Sequence, residues 1–114
     1  VIGDFMTAIE DIDWCAILAN LLDNAIEACE KVPVEERKID FSLVQKNEMI
    51  ILNISNPYCG TLKLMDGKLR TLKEDKLLHG IGLESVKYAV DKNNGTMEYS
   101  FMEHIFRVTI VLLP

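Results

Sequence analysis

Two hydrophobic periodicities alternate along the sequence, and their order limits the folds that this chain can adopt. Residues 14–31 repeat apolar side chains three and four residues apart, which is the spacing of one face of an α-helix. The members of this apolar arc are Trp14, Ile17, Leu18, Leu21, Leu22, Ala25 and Cys29. Residues 38–45, KIDFSLVQ, instead alternate apolar and polar side chains, which predicts a half-buried strand. Its apolar face would carry Ile39, Phe41 and Leu43.

Local signals around the first helix set its ends. The opening VIGDFMTAI predicts a short strand or an extended lead-in, and Asp11 or Asp13 is expected to cap the helix. The helix should run from about Trp14 to Lys31. It should stop at Val32-Pro33, because the residue before a proline disfavours the helical conformation.

The second half of the chain repeats this alternation. MIILNIS predicts a strand that forms an antiparallel hairpin with the strand before it. GIGLESVKYAVDKNN predicts a helix that stops near Gly95. The inward residues of this helix would be Leu83, Val86 and Val90. TMEYSF and IFRVTIVLL predict a closing hairpin around Glu103-His104.

This order of elements favours an α/β (α+β) fold, a two-layer α/β sandwich. It would have a mixed, mostly antiparallel sheet with the helices on one face. Residues 1–114 are the length of one domain with its own core. The chain begins with Val1 and shows no signal-peptide pattern, so we expect a fragment of a longer protein.

Composition narrows the class of protein. A net charge of −6 argues against nucleic acid as a partner, because no overall basic field would attract phosphates. Three cysteines at wide spacings form neither a metal-binding pattern nor a disulfide framework, which favours a cytoplasmic setting. Residues 57–79 have weak periodicity, and a loop of that length is often a lid. Within it, residues 61–76 hold five basic and three acidic side chains, which suits either an anion site or a solvated loop.

The first predicted helix carries a polar face that is unusual in composition. Asn20, Asn24, Glu27 and Lys31 share this face, away from the apolar arc, and Asp23 lies beside them. An ordinary solvent face is one interpretation. Two amides and a carboxylate also resemble a set of oxygen ligands for a hard cation.

Two further features could bind a ligand. Gly80 and Gly82 immediately precede the second predicted helix, where free backbone N–H groups could hold a phosphate, although a plain turn has the same pattern. Asn56 ends a buried strand in NISNPYCG. Its amide could contact a purine edge or could cap the turn.

Together these motifs resemble the catalytic, ATP-binding domain of sensor histidine kinases, in the GHKL superfamily with its Bergerat fold. The resemblance covers nearly the whole chain, and ANLLDNAIEA, similar to the family's N box, is its most specific part. Within the family the chain looks most like the AgrC-type peptide-pheromone receptor kinases of quorum sensing. The resemblance implies ATP and Mg²⁺ as cofactors.

The resemblance also implies roles for individual residues. Asn24 matches the N-box asparagine that ligates Mg²⁺, and Asn20 matches the residue one turn earlier that faces the metal and phosphates. Asp23 matches the N-box aspartate that lines the nucleotide pocket, with Glu27 on the same helix face. Gly80, Gly82 and Leu83 match the G2 box, whose backbone amides hold phosphates. Lys73 or Lys76 is assigned to phosphate contact from the lid.

The chain departs from the family pattern at the G1 box, D-x-G-x-G. SNPYCG stands in its place, and Asn56 would occupy the position of the adenine-reading aspartate. Its amide oxygen can accept a hydrogen bond from the purine amine without a charge, which predicts weaker binding. AgrC-like kinases generally share this loss. The lid also lacks a clear F box.

Asn20 discriminates among members of the superfamily. Hydrolysing members have glutamate there as a general base for water, and an amide cannot accept that proton. The resemblance therefore implies phosphoryl transfer to a histidine on a separate dimerisation domain of a homodimeric, membrane-bound bacterial kinase, which signals to a response regulator. His79 and His104 lack a helical phosphoacceptor context and are expected at the surface. The alternatives are a GHKL serine kinase of the anti-sigma type and a degenerate module without turnover.

Overall fold

Five strands form one sheet in a computed structural model that describes residues 9–58, the backbone of 70–71, and residues 83–114. The strands are β1 (Asp40–Lys46), β2 (Met49–Pro57), β3 (Arg70–Thr71), β4 (Thr96–Met102) and β5 (Ile105–Leu112). Their order across the sheet is β1-β2-β5-β4-β3, and every strand pair in the described ranges is antiparallel. The helices are α1 (Asp11–Glu30) and α2 (Glu84–Lys92), with a 3-10 turn at Val34–Glu36.

The helices cover one face of this sheet, which confirms the predicted two-layer fold. Helix α1 packs on β2, α2 packs on β4, and the two helices pack against each other. Alternate residues of the central strands point into the shared core, where Leu52 and Ile110 are opposite each other in the register and almost fully buried. Neither helix in the described residues has the length and apolar character that crossing a bilayer requires.

The start of α1 differs from the prediction. Glu10 is the N-cap residue and makes no side-chain capping bond, so neither Asp11 nor Asp13 caps the helix. Both aspartates instead lie in the first turn, where a negative charge favours the positive end of the helix. The predicted lead-in before α1 lies outside the described residues, except for the buried Ile9.

The end of α1 follows the prediction, because the helix stops at Glu30, just before Val32-Pro33. A side chain beyond the proline satisfies two backbone carbonyls left without helical partners. The guanidinium of Arg37 donates to the carbonyl oxygens of Val32 at 3.1 Å and Glu30 at 3.3 Å.

Two predictions on strands need correction. Phe41 lies opposite Ile54 on the helix side, but it is 45% exposed because β1 is an edge strand that extends past the core. The predicted loop at residues 57–79 includes Pro57, the last residue of β2, and contains β3, which pairs with β4. A two-residue strand is too short to show a periodicity in the sequence.

The closing hairpin turns at Glu103 and His104, as predicted, with φ angles of 53° and 63°. Two successive positive φ angles are characteristic of the tight turns that match the twist of antiparallel strands. The exposed position of His104 agrees with the expected surface histidine. His79 lies outside the described residues.

Gly95 is expected to be intolerant of any side chain, because it follows α2 where the chain turns back into β4. A Cβ at Gly95 would lie 2.6 Å from the backbone oxygen of Val111 and 2.9 Å from a methyl carbon of Val90. Gly95→Ala should therefore lower the free energy of unfolding by about 1–3 kcal/mol, measured by urea denaturation. The neighbouring Asn94→Gly, at a residue with φ of 55°, should change it by less than about 0.5 kcal/mol. Equal losses in the two variants would contradict the close approach at Gly95.

Candidate nucleotide-binding site

Asn20 lies in the middle of α1 with a half-buried side chain. Its Nδ2 donates to the backbone carbonyl oxygen of Ala16 at 2.7 Å, one turn earlier. Because the two polar atoms of an amide lie on opposite sides of Cγ, this bond directs Oδ1 away from the helix backbone. The side chain therefore presents a hydrogen-bond acceptor that cannot remove a proton from water.

Asn24 lies one turn further along α1 and is also half-buried, whereas Asp23, Glu27 and Lys31 are exposed. The two amides thus flank the buried face of α1 and do not lie opposite it, which differs from the sequence-based expectation. Asparagine is a poor helix-interior residue, costing roughly half a kcal/mol relative to alanine. Partial burial at two successive turns lowers the local dielectric, which strengthens a contact that either amide makes with a ligand.

Asn56 lies near the end of β2 and is 6% exposed. Its register partner on β5 is Phe106, and alternation along β2 directs its side chain to the helix-covered face, the same face as Ile54. Nδ2 donates to the carbonyl oxygen of Pro57 at 2.8 Å. This bond uses a donor and turns the oxygen, the atom that could accept from a purine amine, to the other side of the amide.

Aromatic side chains surround the end of β2. The Tyr58 ring lies 5.9 Å from the Phe101 ring in an edge-to-face arrangement and 6.2 Å from the Phe106 ring. The Tyr58 backbone N–H also donates to the carbonyl oxygen of His104 at 2.8 Å, which extends the β2–β5 pairing past Pro57. Flat apolar faces beside a buried amide are the chemistry that a planar heterocyclic base requires.

Leu83 is the N-cap residue of α2, and its side chain is fully buried in the core. Its backbone carbonyl accepts from the N–H of Lys87 at 3.0 Å, so the helix begins immediately after it. The predicted phosphate-binding residues Gly80 and Gly82, and the lid residues Lys73 and Lys76, lie outside the described residues. Leu83 therefore holds the start of α2 in the core.

The candidate site residues that the structure describes thus lie on three elements of the two-layer fold. Asn20 and Asn24 come from α1, Asn56 from the helix-covered face of β2, and Leu83 from the start of α2. The oxygen donors on α1 fit the ligand preference of a hard divalent cation such as Mg²⁺. In the described ranges, no three His, Cys, Asp or Glu side chains form a metal-binding group.

A polar cluster between the two helices was missed by the sequence reasoning. The Asp13 carboxylate, only 5% exposed, accepts from Asn93 Nδ2 at 3.1 Å and lies 3.4 Å from Lys92 Nζ. Lys92 also bonds Glu10 at 3.0 Å. These contacts join the start of α1 to the end of α2 across about 80 residues of sequence. No local pattern could have revealed them.

The same cluster shifts the titration of Lys92. The hydrogen bond to Glu10, and to a smaller extent the hydrogen bond to Asp13, raise the pKa of Lys92 above its usual value of 10.5. A lysine whose pKa rises on folding stabilises the protein fully below its unfolded pKa and loses that contribution as pH rises through the folded value. This contribution should therefore persist throughout the neutral range and disappear only at strongly alkaline pH.

Removing the buried carboxylate of this cluster should destabilise the sandwich. Asp13→Ala leaves Asn93 and Lys92 without a shared acceptor, and we expect a loss of about 1–3 kcal/mol in the free energy of unfolding. Asp13→Asn keeps an acceptor for Asn93 and should lose less. Asp40→Ala removes an exposed partner of Lys38 at 3.7 Å and should change stability by less than about 0.5 kcal/mol. Urea denaturation at neutral pH compares the three, and equal effects of Asp13→Ala and Asp40→Ala would contradict this role.

Residues 9–113 match the family model described as the GHKL domain. The chain belongs to the GHKL domain family. The two-layer fold agrees with this membership, which supports the expectation of an ATP-binding domain.

Two curated proteins are similar to this GHKL domain. A probable C4-dicarboxylate sensor kinase of Bacillus subtilis (strain 168) is 30% identical over 99 residues, which cover 82% of this chain and 18% of the relative. The sensor histidine kinase CitA of Klebsiella pneumoniae is 27% identical over 97 residues, which cover 80% of this chain and 17% of the relative. The chain therefore spans less than a fifth of the length of these curated relatives.

Proposed function

We propose that this GHKL domain is the catalytic, ATP-binding domain of a two-component sensor histidine kinase. It would bind Mg-ATP and present the γ-phosphate to a histidine on a separate dimerisation domain. The observation that carries the proposal is the pair of half-buried amides, Asn20 and Asn24, on α1 of a domain with sensor kinases among its relatives.

The proposed site gives each residue a physical task. Asn24 would supply an amide oxygen to the metal. Asn20, whose Nδ2 donates to Ala16, would offer a second amide oxygen to the metal and phosphates. When bound, Mg²⁺ would neutralise part of the negative charge on the phosphates. The amide oxygen of Asn56 would accept a hydrogen bond from the adenine amine. It is an uncharged acceptor in place of the aspartate carboxylate of the family.

Other residues complete the proposed site. Gly80 and Gly82 offer backbone N–H groups at the start of α2, where the helix dipole favours negative charge. Leu83 anchors the start of α2 in the core. Asp23 and Glu27 contribute the acidic edge of the pocket, and Lys73 or Lys76 contacts phosphate from the lid.

The chemistry of Asn20 favours transfer over hydrolysis. Its Nδ2 is committed to Ala16, and its oxygen is not basic enough to activate water. The attacking group would therefore come from another domain, as a phosphoacceptor histidine of the same homodimeric kinase. The proposed setting is the cytoplasmic side of a membrane-bound bacterial kinase that signals to a response regulator. The sequence of the N box and the altered G1 box are the grounds for proposing the AgrC-type subtype of quorum sensing.

Isothermal titration with a non-hydrolysable ATP analogue, with and without Mg²⁺, tests the binding part of this proposal. We expect binding that is tighter with the metal. The missing G1 glycines favour a second candidate, a degenerate module without turnover, and no binding in either condition would favour it.

The transfer part of the proposal needs a separate assay, because a GHKL serine kinase of the anti-sigma type would also bind Mg-ATP. Radiolabelled ATP is incubated with this domain and either a histidine-containing dimerisation domain or a serine-containing partner protein. Acid-labile label on the histidine domain is the expected result. Acid-stable label on serine would overturn the histidine-kinase assignment.

A further inference from the structure

Helix α1 has a second apolar face that points away from the sheet. Five residues spaced alternately three and four apart form this face, which we call the outward stripe: Ile12, Cys15, Ala19, Leu22 and Ile26. Ile12 is 71% exposed, Leu22 is 37% exposed and Ile26 is 49% exposed. Leu22 was expected in the core from the sequence and lies here instead.

The spacing of the outward stripe is that of a coiled-coil seam. Its residues occupy successive a and d positions of two heptads, and helices with that pattern pack by inserting side chains between those of a facing helix. The stripe runs for about 21 Å at 1.5 Å per residue, long enough to contact about four turns of a partner helix.

Surface grooves extend the outward stripe at both ends. Ile12 lines a groove with Tyr88 of α2, which is 73% exposed. Ile26 lines another groove with Ile39 and Cys29. Charged side chains share the lining of both grooves: Asp13, Glu84 and Lys92 in the first, and Glu30, Arg37 and Lys38 in the second. The exposed apolar surface therefore runs along α1 and is charged at its two ends, and an exposed apolar patch with a polar rim is typical of a binding face.

Charge decides which partner fits this face. Helix α1 contains five acidic residues and no lysine or arginine. Asp11, Asp23 and Glu30 lie at the e and g positions that flank the outward stripe, and all three are exposed. In paired helices these flanking positions select the partner by charge.

The acidic flanks disfavour two other occupants. Two copies of α1 packed through the outward stripe would place two acidic helices side by side with no basic side chain on either helix to pair with the carboxylates, which disfavours that pairing. An anionic membrane surface attracts basic flanks and would repel these acidic ones. A helix with an apolar a/d stripe and lysine or arginine on both sides satisfies the apolar face and the charge at once.

We propose that the outward stripe of α1 is a docking surface for a basic amphipathic helix of a partner protein or domain. The stripe lies on a different face of α1 from Asn20 and Asn24, which flank the sheet. The stripe itself contains none of the proposed nucleotide-binding residues, so the docking proposal does not rest on the proposed function. The two sites adjoin at Asp23, which flanks the stripe and also lies at the edge of the proposed pocket.

The test uses designed peptides as probes, with three chemistries in about 21 residues each. The first has leucine at a and d and lysine at e and g, the second has glutamate at e and g, and the third has serine at a and d with the lysines kept. Fluorescence anisotropy at physiological salt should show binding of the first peptide alone. Binding should weaken as salt screens the charges.

Two double variants test whether the first peptide binds at the outward stripe. Leu22→Ser combined with Ile26→Ser should weaken binding of the first peptide about tenfold or more, a change of about 1.4 kcal/mol. Val44→Ser combined with Met102→Ser is the matched control, since these residues are 50% and 49% exposed and lie on β1 and β4, away from α1 and from the segment before β1. This control should change the affinity less than about twofold. Circular dichroism melting checks that both variants fold.

A charge reversal separates specific docking from general attraction to an acidic protein. The double variant Asp11→Lys and Glu30→Lys should bind the lysine peptide more weakly than wild type does, and it should bind the glutamate peptide, which wild type does not. Equal binding of the lysine peptide to wild type and to the Leu22/Ile26 variant would overturn the proposal. A second result would also overturn the proposal. In it, no peptide binds, analytical ultracentrifugation shows that the wild-type protein is a dimer, and the Leu22→Ser and Ile26→Ser substitutions dissociate that dimer.

Discussion

Alanine in place of Asn24 is expected to abolish the Mg²⁺-dependent part of the stabilisation that an ATP analogue gives this domain. A ligand that binds only the folded state at 100 times its Kd stabilises it by about 2.7 kcal/mol. In the proposed site the Asn24 oxygen is the protein ligand of the metal, so its removal should leave only the metal-independent part. Melting temperature, measured with analogue alone and with analogue plus Mg²⁺, reports the difference.

Two matched variants make this result specific. Asn24→Asp keeps an oxygen ligand at the same position and should retain the response to Mg²⁺. Asn53→Ala removes an asparagine that accepts from Thr109 Oγ1 at 2.6 Å on the face of β2 opposite Asn56. That variant should lower the starting stability but leave the metal response intact. An Asn24→Ala protein with the wild-type response would contradict the assignment of Asn24 as the metal ligand and, with it, the proposed Mg-ATP site.

The fold could be predicted from sequence wherever a local pattern decides the structure. The helical period of residues 14–31 and the alternation in both hairpins are properties of neighbouring residues, and the structure confirms them. The exposed Phe41 could not be predicted, because its exposure depends on β1 being the edge strand. Strand order depends on pairings between distant segments, such as β2 with β5.

In the candidate site, too, local sequence patterns predict some features, whereas others depend on contacts between distant parts of the chain. Asn20, Asn24 and Asn56 drew attention because amides are unusual in a helix and at a buried strand end, and both are local signals. The half-burial of the two helix amides and the outward position of Leu22 depend on how α1 is rotated on the sheet. A helical wheel groups residues by face but does not fix that rotation. The Asp13–Asn93 contact depends on how α1 and α2 pack and lies equally beyond a sequence pattern.

Leu83 links the stability of the core to the geometry of the proposed phosphate site, and Leu83→Ala should therefore have two separable effects. The side chain is fully buried at the start of α2, so its truncation should cost about 2–5 kcal/mol of unfolding free energy. It should also weaken binding of the ATP analogue about tenfold or more, because Gly80 and Gly82 immediately precede this anchor and a displaced backbone no longer aligns its N–H groups with the phosphates.

Leu112→Ala is the control that separates these effects. Leu112 is the same residue type, is 1% exposed, and lies at the opposite end of β5 from Phe106, the register partner of Asn56. Its truncation should cost a similar unfolding free energy and leave the analogue affinity within about twofold of wild type. Urea denaturation and isothermal titration, at a temperature where all three proteins are folded, measure both quantities. Equal loss of affinity in the two variants would mean that nucleotide binding follows overall stability, and that Leu83 has no special part in placing the start of α2.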